Sequence, residues 1–428
     1  MRRGETTVAE AVSALPGTPR LERLANGLTV CLIENRQAPI VTSALFYRAG
    51  TRDEPAGHGG IAHFLEHMMF KGSSRYGPGE IDRRTQALGG VNNAFTSHDA
   101  TGYYFNFASD RWTEALAIEA DRMAGLTLDP EQVASERQVI LEEIAMYESE
   151  PWDALETEVQ AKLFPTHPYG RQVLGTREEL LATGPEDLAA FHAHCYRPDN
   201  AILVVAGDLD PGALDHVEHA FGSLPPGAER RAASTTPVAP DSLVRIERRK
   251  GEVARLLFAV PAPAGSHPDH PALKLLVTVL AGGRASRLNR ALVDEGQLCS
   301  WISADLTESL DGSQVTIGTE VVPGVEPERV EAEVLRLLEE IISKPPGVEE
   351  TERARQIATA DWVFGHERVH QQALSAGLAL AVFDLAHLDR HLQRLLATGS
   401  DELLDVASRY LRPERGGVLG WSLPRTET

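Results

Sequence analysis

The chain has 428 residues, 41 Lys+Arg against 62 Asp+Glu, and a formal net charge of −21. That length suits two to four domains of about 100–200 residues each, and 42% hydrophobic with 24% charged residues argues for a globular chain over a long disordered one. The acidic balance excludes general nucleic-acid binding, which needs Lys and Arg against phosphate, and leaves only weak steering of basic peptides.

The first 24 residues open with two arginines but lack an apolar stretch of about 7–15 residues, and no window reaches about 18 uninterrupted apolar residues. Neither a secretory leader nor a membrane span is expected, and the default location is the cytoplasm. Cys31, Cys195 and Cys299 are too few and scattered for a disulfide framework or a Cys-based zinc site, so they read as small buried side chains in a reducing compartment.

Leu28–Asn35 and Val41–Gly50 read as strands, rich in β-branched and aromatic residues, with Asn35 and Pro39 as turn material between them. A Gly-rich bend, Glu54–Gly60, opens the run Ile61–Gly72, which is too long for a strand and is expected to be a helix closed by Gly72. Thr101–Ser109 alternates aromatic and polar residues, as a strand with one buried face does. Helical patterns follow over 110–126 and 130–150, and Ala201–Asp210 closes the first half as a buried strand.

From about residue 223 the chain turns to Pro, Ala, Ser and Thr without hydrophobic period, as a linker does. The expected organisation is an N-terminal domain over 1–225, a linker over 226–242 and a C-terminal domain over 243–428. The second half repeats the grammar of the first. Strands are expected over 244–249 and 254–263, a helix over 271–283, a hairpin of 300–309 with 313–322 around Leu310-Asp311-Gly312, and then long helices. The expected fold class is α+β, two similar mixed halves related by element order.

The sharpest chemical signal is His63-Phe64-Leu65-Glu66-His67. Residues four apart on a helix share a face, so His63 and His67 can offer imidazole nitrogens to one zinc ion, with Glu66 beside them. This is the H-x-x-E-H arrangement, the reverse of H-E-x-x-H. Zinc lowers the pKa of a water it holds to about 7, and a carboxylate can then take the proton as general base. Five letters alone also fit two surface histidines beside a carboxylate.

Catalytic zinc usually takes three protein ligands, so another donor is required. The helical run 131–150 carries Glu131, Glu136, Glu142, Glu143 and Glu148. Glu136 and Glu143 are seven apart and share a stripe with Ile140 and Val139. Carboxylates there are costly to bury unless a metal or cation compensates. Glu143 is the leading third ligand and Glu136 a supporting carboxylate; Glu142, about 100° around the helix, is the rival on geometry.

With Glu143 lying 76 residues after His67, the sequence resembles the inverzincin zinc peptidases related to pitrilysin and the mitochondrial processing peptidase. Further matches are HGGIAHFLEHMMFKG, GGVNNAFTSHDATGYYF, HPYGRQVLGT and YRPDNAILVVAGD. The similarity runs through most of 20–210 and thins afterwards to positions such as GGRASRL. The resemblance implies two homologous halves forming a clamshell, one Zn²⁺ per chain on His63, His67 and Glu143, and Glu66 as base with Glu136 assisting. It also implies a peptide substrate laid as an added strand along an exposed edge at Asn93, Ala94 and Phe95. The histidines at 58, 98, 167, 192 and 194 lack ligand spacing and read as structural.

The second half departs from the family pattern. Single-chain relatives carry there an Arg and a Tyr, seven apart, that contact bound peptide. Here Val293 and Ser300 stand in those places, and neither can replace those donors. Arg290 and Trp301 are near but out of phase, and Arg287 reads as a helix cap or a carboxylate partner. The expectation is a zinc endopeptidase completed by a homologous zinc-less subunit in a heterodimer. A homodimer using Arg287 or Arg290 is the alternative for the partner, and a non-catalytic assembly subunit of the same fold is the alternative for function.

Overall fold

The computed structural model describes residues 18–227 and 235–425. The two opening arginines and the middle of the expected linker lie outside them. Two sheets organise the chain. The first comprises β1 (Arg20–Arg23), β2 (Thr29–Glu34), β3 (Ile40–Tyr47), β4 (Val91–Thr96), β5 (Thr101–Ala108) and β6 (Ala201–Gly207), in the order β1-β2-β6-β3-β5-β4. The second comprises β7 (Leu243–Arg249), β8 (Arg255–Ala262), β9 (Cys299–Leu306), β10 (Ser313–Val321) and β11 (Gly417–Leu423), in the order β7-β11-β8-β10-β9. The fold is mixed α/β in two halves, and the hairpin around Leu310–Gly312 is β9 antiparallel to β10.

Burial explains the strand sequences. β6 sits between β2 and β3 and is buried along its whole length, so it is a continuous apolar run. Among the described residues β4 pairs only with β5, which leaves its other edge without a strand partner. Helix α1 (Ile61–Met68) turns Ile61, Ala62, Phe64, Leu65 and Met68 into the core. It stops at Met68, short of the expected Gly72. Successive backbone turns carry the chain through Phe70 and Lys71 to Gly72, whose φ of 143° is open to glycine and leaves the helix path.

Helix α2 (Thr113–Ala124) is followed by α3 (Pro130–Ser149), which begins where the Asp129 carboxylate accepts the Glu131 and Gln132 amides and Pro130 fills the first turn. Pro151 then opens α4 (Pro151–Leu163) after a break at Glu150. In the second half, α5 (His270–Ala281) lies against the sheet, followed late in the chain by α6 (Val369–Val382) and α7 (Ala386–Ala397).

The halves exchange helices. α6 covers the outer face of the first sheet, where Val369, Ala373, Ala376 and Leu380 pack on Cys31, Ile33, Ala44, Phe46, Ile202 and Val204. α4 covers the outer face of the second, with Leu155, Val159 and Leu163 against Leu257, Ala259 and Val418. Each fully buried Val or Leu is worth about 1.5–3 kcal/mol, so each sheet depends on the other half for the burial of one face. Gly377 makes α6 fit: a Cβ there would lie 2.0 Å from the Phe46 ring.

A polar seam joins the halves at the β9–β10 turn. Arg52 holds Asp311 at 2.8 Å, the Tyr169 hydroxyl donates to Asp99 at 2.6 Å and accepts from the Asp311 amide, and Leu310 donates its amide to Asp99. Cys31, Cys195 and Cys299 are free and buried. Among the described residues no helix is long and apolar enough to cross a membrane.

Candidate metal centre

The centre forms where α1 lies across α3, beside the β4 edge. Gly60 starts α1 in the left-handed region (φ 85°), and a Cβ at that position would lie 2.2 Å from the Leu174 carbonyl oxygen. The Glu54 carboxylate accepts the Gly60 and Ala62 amides at the same helix start. The Gly-rich lead-in thus lets the helix begin hard against the neighbouring loop, with its histidines fixed one turn apart.

His63 and His67 lie with ring centroids 4.6 Å apart. Their Nε2 atoms stand 3.9 and 3.7 Å from Glu143 Oε2, and one donor atom from each of the three residues lies within 4.8 Å of the other two. Glu142 is exposed, and Glu143 is the α3 carboxylate that lies within 3.9 Å of both rings. Glu136 is 5% exposed and accepts from His67 Nδ1 at 2.8 Å and from Lys71 Nζ at 2.6 Å. That bond holds a proton on Nδ1 and orients the ring so that Nε2 points toward Glu143. Ile140 packs inward, but Val139, expected in the apolar stripe, is 47% exposed.

Burial, helped by the adjacent His67, lowers the His63 pKa to about 3, so its ring is neutral and can donate a lone pair. Burial pushes Glu136 upward, yet its hydrogen bonds from His67 and Lys71 prevail and hold it below the usual carboxylate value. Glu66 is raised, chiefly by burial, although the Thr96 hydroxyl donates to its Oε2 at 2.5 Å. Two imidazoles on one helix face, a partly exposed carboxylate and a buttressed Nδ1–H are a donor set that fits a zinc ion.

β4 presents its free edge beside this cluster. Thr96 faces Glu66, Ala94 packs on the core under the metal helix, and Phe95 turns to the opposite face against Phe46. Asn93 is exposed, its Oδ1 accepting the Ala94 amide. A cavity of about 270 Å³ adjoins Thr96, bounded by Tyr147, Asp153, Glu156 and Arg171. Burial raises both acids, Glu156 further through Asp153 and Asp305. A cation in this cavity would relieve that cost.

Four of the five histidines read as structural have hydrogen-bond partners, His58 meeting Thr183 at 3.4 Å, while His194 is exposed on the surface. His98 bridges Thr51 and Gln160, His167 meets Thr235, and His192 meets the Arg122 carbonyl. Arg287 pairs with Glu350 through two 2.9 Å contacts. Val293 packs on the second core, Ser300 Oγ contacts the Glu320 carbonyl at 3.4 Å, Arg290 pairs with Glu295, and Trp301 leans on Trp152. The sequence reading passed over Lys71, Thr96 and the buried Glu119–Arg122 pair under Tyr103. Only Lys71 left a sequence signal, four residues after His67 on what would be the same helix face.

Residues 29–177 match the family model described as Insulinase (Peptidase family M16), and residues 184–358 match the one described as Peptidase M16 inactive domain. The chain is 32% identical to an uncharacterized zinc protease of Mycobacterium leprae, over 75% of this chain and 72% of that one. It is 31% identical to the mitochondrial-processing peptidase subunit beta of Blastocladiella emersonii, over 60% and 56%. A solved protease from Helicobacter pylori superposes with a TM-score of 0.90 at 26% identity, covering 96% of this chain and all of that one.

Proposed function

We propose that this chain, which belongs to the insulinase-type M16 peptidase family, is a zinc-dependent endopeptidase acting on peptides laid along the β4 edge. The observation that carries the reading is the convergence of His63, His67 and Glu143 donor atoms within 4.8 Å, with Glu66 alongside. One zinc ion held there would supply Lewis acidity toward water and toward the scissile carbonyl. Glu66 takes the proton from the attacking water and returns it to the leaving amine, and the Thr96 hydroxyl holds the Glu66 carboxylate in place. Glu136 keeps His67 in the donor tautomer.

The unpaired edge of β4 at Asn93–Phe95 offers main-chain N–H and C=O groups for strand addition. Asp153 and Glu156 in the adjoining cavity favour a substrate with a basic side chain nearby. The three buried thiols fit a reducing compartment such as the cytoplasm.

Val293 and Ser300 provide no long donor toward a bound peptide, and we assign that role to a homologous zinc-less subunit in a heterodimer, with a homodimer as the competing assembly. The same two residues favour the second reading, a non-catalytic assembly subunit. The experiment is to purify the chain, measure bound zinc, and follow cleavage of an unstructured basic peptide alone and with homologous subunits. Cleavage that needs both zinc and a second subunit is expected. Full turnover by the isolated chain would refute the partner assignment, and zinc-loaded protein that is inert in every mixture would refute the enzyme.

A further inference from the structure

A second group of metal-competent side chains lies in the C-terminal half, on elements remote from α1 and α3. His270 opens α5, Glu308 follows the end of β9, and His387 and His391 stand four apart on α7, the spacing of His63 and His67 on α1. His387 Nε2 lies 2.6 Å from Glu308 Oε1, and His391 Nδ1 lies 3.6 Å from the same oxygen. One ring nitrogen each of His270 and His391 and a Glu308 oxygen all fall within 4.8 Å of one another.

Hydrogen bonding separates this group from an ordinary cluster of core histidines. His270 is 1% exposed and its Nε2–H donates to the Thr307 carbonyl at 2.9 Å, which leaves Nδ1 as a buried lone pair. Neither that Nδ1 nor the Nδ1 of His391 has a hydrogen-bond partner among the described residues. Leaving a buried polar atom without a partner is costly, and two such atoms occur together here. A ring nitrogen tied to a backbone carbonyl while the other stays bare is the arrangement of a metal-ligating histidine. Burial keeps both rings neutral, lowering the His391 pKa to about 4 and that of His270 below its usual value.

The Glu308 side chain is 43% exposed, which gives an ion a way in, and a cavity of about 280 Å³ bounded also by Lys274, Asp361 and Trp362 adjoins the cluster. Glu308, Trp362 and His387 also border a cavity of about 470 Å³ between the halves, whose far wall is Phe95, His98 and Asp99.

We propose that His270, Glu308 and His391, with His387 beside them, form a second metal site that binds one divalent ion of the zinc class. Mixed imidazole and carboxylate donors select zinc and its late first-row neighbours over calcium or magnesium. The ion would tie α5, the β9–β10 hairpin and α7 together beside the seam, a structural role separate from peptide cleavage.

The test uses the full chain, stripped with chelator, dialysed against Zn²⁺ and assayed for metal content. Wild type should hold two equivalents and the H63A/H67A variant one. Adding His391→Ala should remove that last equivalent, and adding the partly exposed Glu308→Gln instead should weaken it at least about tenfold. Zn²⁺ should raise the melting temperature of H63A/H67A but not of the triple variant. A folded H63A/H67A protein, judged by circular dichroism, that holds no zinc above background overturns the proposal. Zinc retention unchanged by both His391→Ala and Glu308→Gln overturns it equally.

Discussion

Replacing Glu66 by Gln isolates the proton-transfer step from everything else at the metal centre. Glutamine has the same size, and its side-chain oxygen can still accept the Thr96 hydroxyl that reaches Glu66 Oε2 at 2.5 Å. Glu66 is outside the convergent donor set of His63, His67 and Glu143, so the variant should keep zinc at that site. The amide cannot take a proton from water. A positioned general base is worth about 10²–10⁴ in rate, or roughly 3–5 kcal/mol of barrier at 1.36 kcal/mol per decade. In whichever preparation supports turnover, kcat on a basic unstructured peptide should fall by that factor, with KM within about threefold of wild type. Metal analysis of the same samples completes the assay. A kcat within about tenfold of wild type, or a loss of activity that tracks a loss of zinc, would refute the assignment.

Other perturbations probe the supporting structure. His67→Ala should release the zinc of this centre, and Glu136→Gln should weaken metal affinity or activity by about 10–100-fold, both read from metal titration and kinetics. Gly377→Ala should lower the urea midpoint. Its Cβ would sit 2.0 Å from Phe46, overpacking costs about 1–3 kcal/mol, and helix propensity returns at most about 1 kcal/mol. His98 donates through Nδ1 to Thr51, while the Gln160 amide donates to its Nε2, so protonation breaks the second bond, and burial lowers its pKa to about 4. The unfolded chain then binds the extra proton first. The contribution of His98 is complete above its ordinary pKa of about 6.5 and disappears as pH falls through 4, roughly 3 kcal/mol in all. Urea midpoints measured across that window should decline less steeply in His98→Gln.

The local chemistry of the catalytic candidate was legible along the chain because it rests on short-range geometry. Four-residue spacing puts His63 and His67 on one helix face whatever surrounds them, and seven-residue spacing puts Glu136 and Glu143 on one stripe of α3. The buried β6 and the hairpin around Asp311 follow equally from local pattern and turn residues, whereas the edge position of Asn93–Phe95 was expected only from the family resemblance. Residues distant in sequence were beyond that reach. Glu143 rather than Glu142 comes near the two histidines because of how α3 packs on α1, and Lys71 meets Glu136 because the chain turns back after Met68. The exchange of α4 and α6 between the halves leaves no trace in periodicity, since an amphipathic helix does not encode which sheet it will cover. His270, Glu308 and His391 come together only because two helices and a hairpin end converge, and spacings of 38 and 83 residues carry no signal until the backbone has folded.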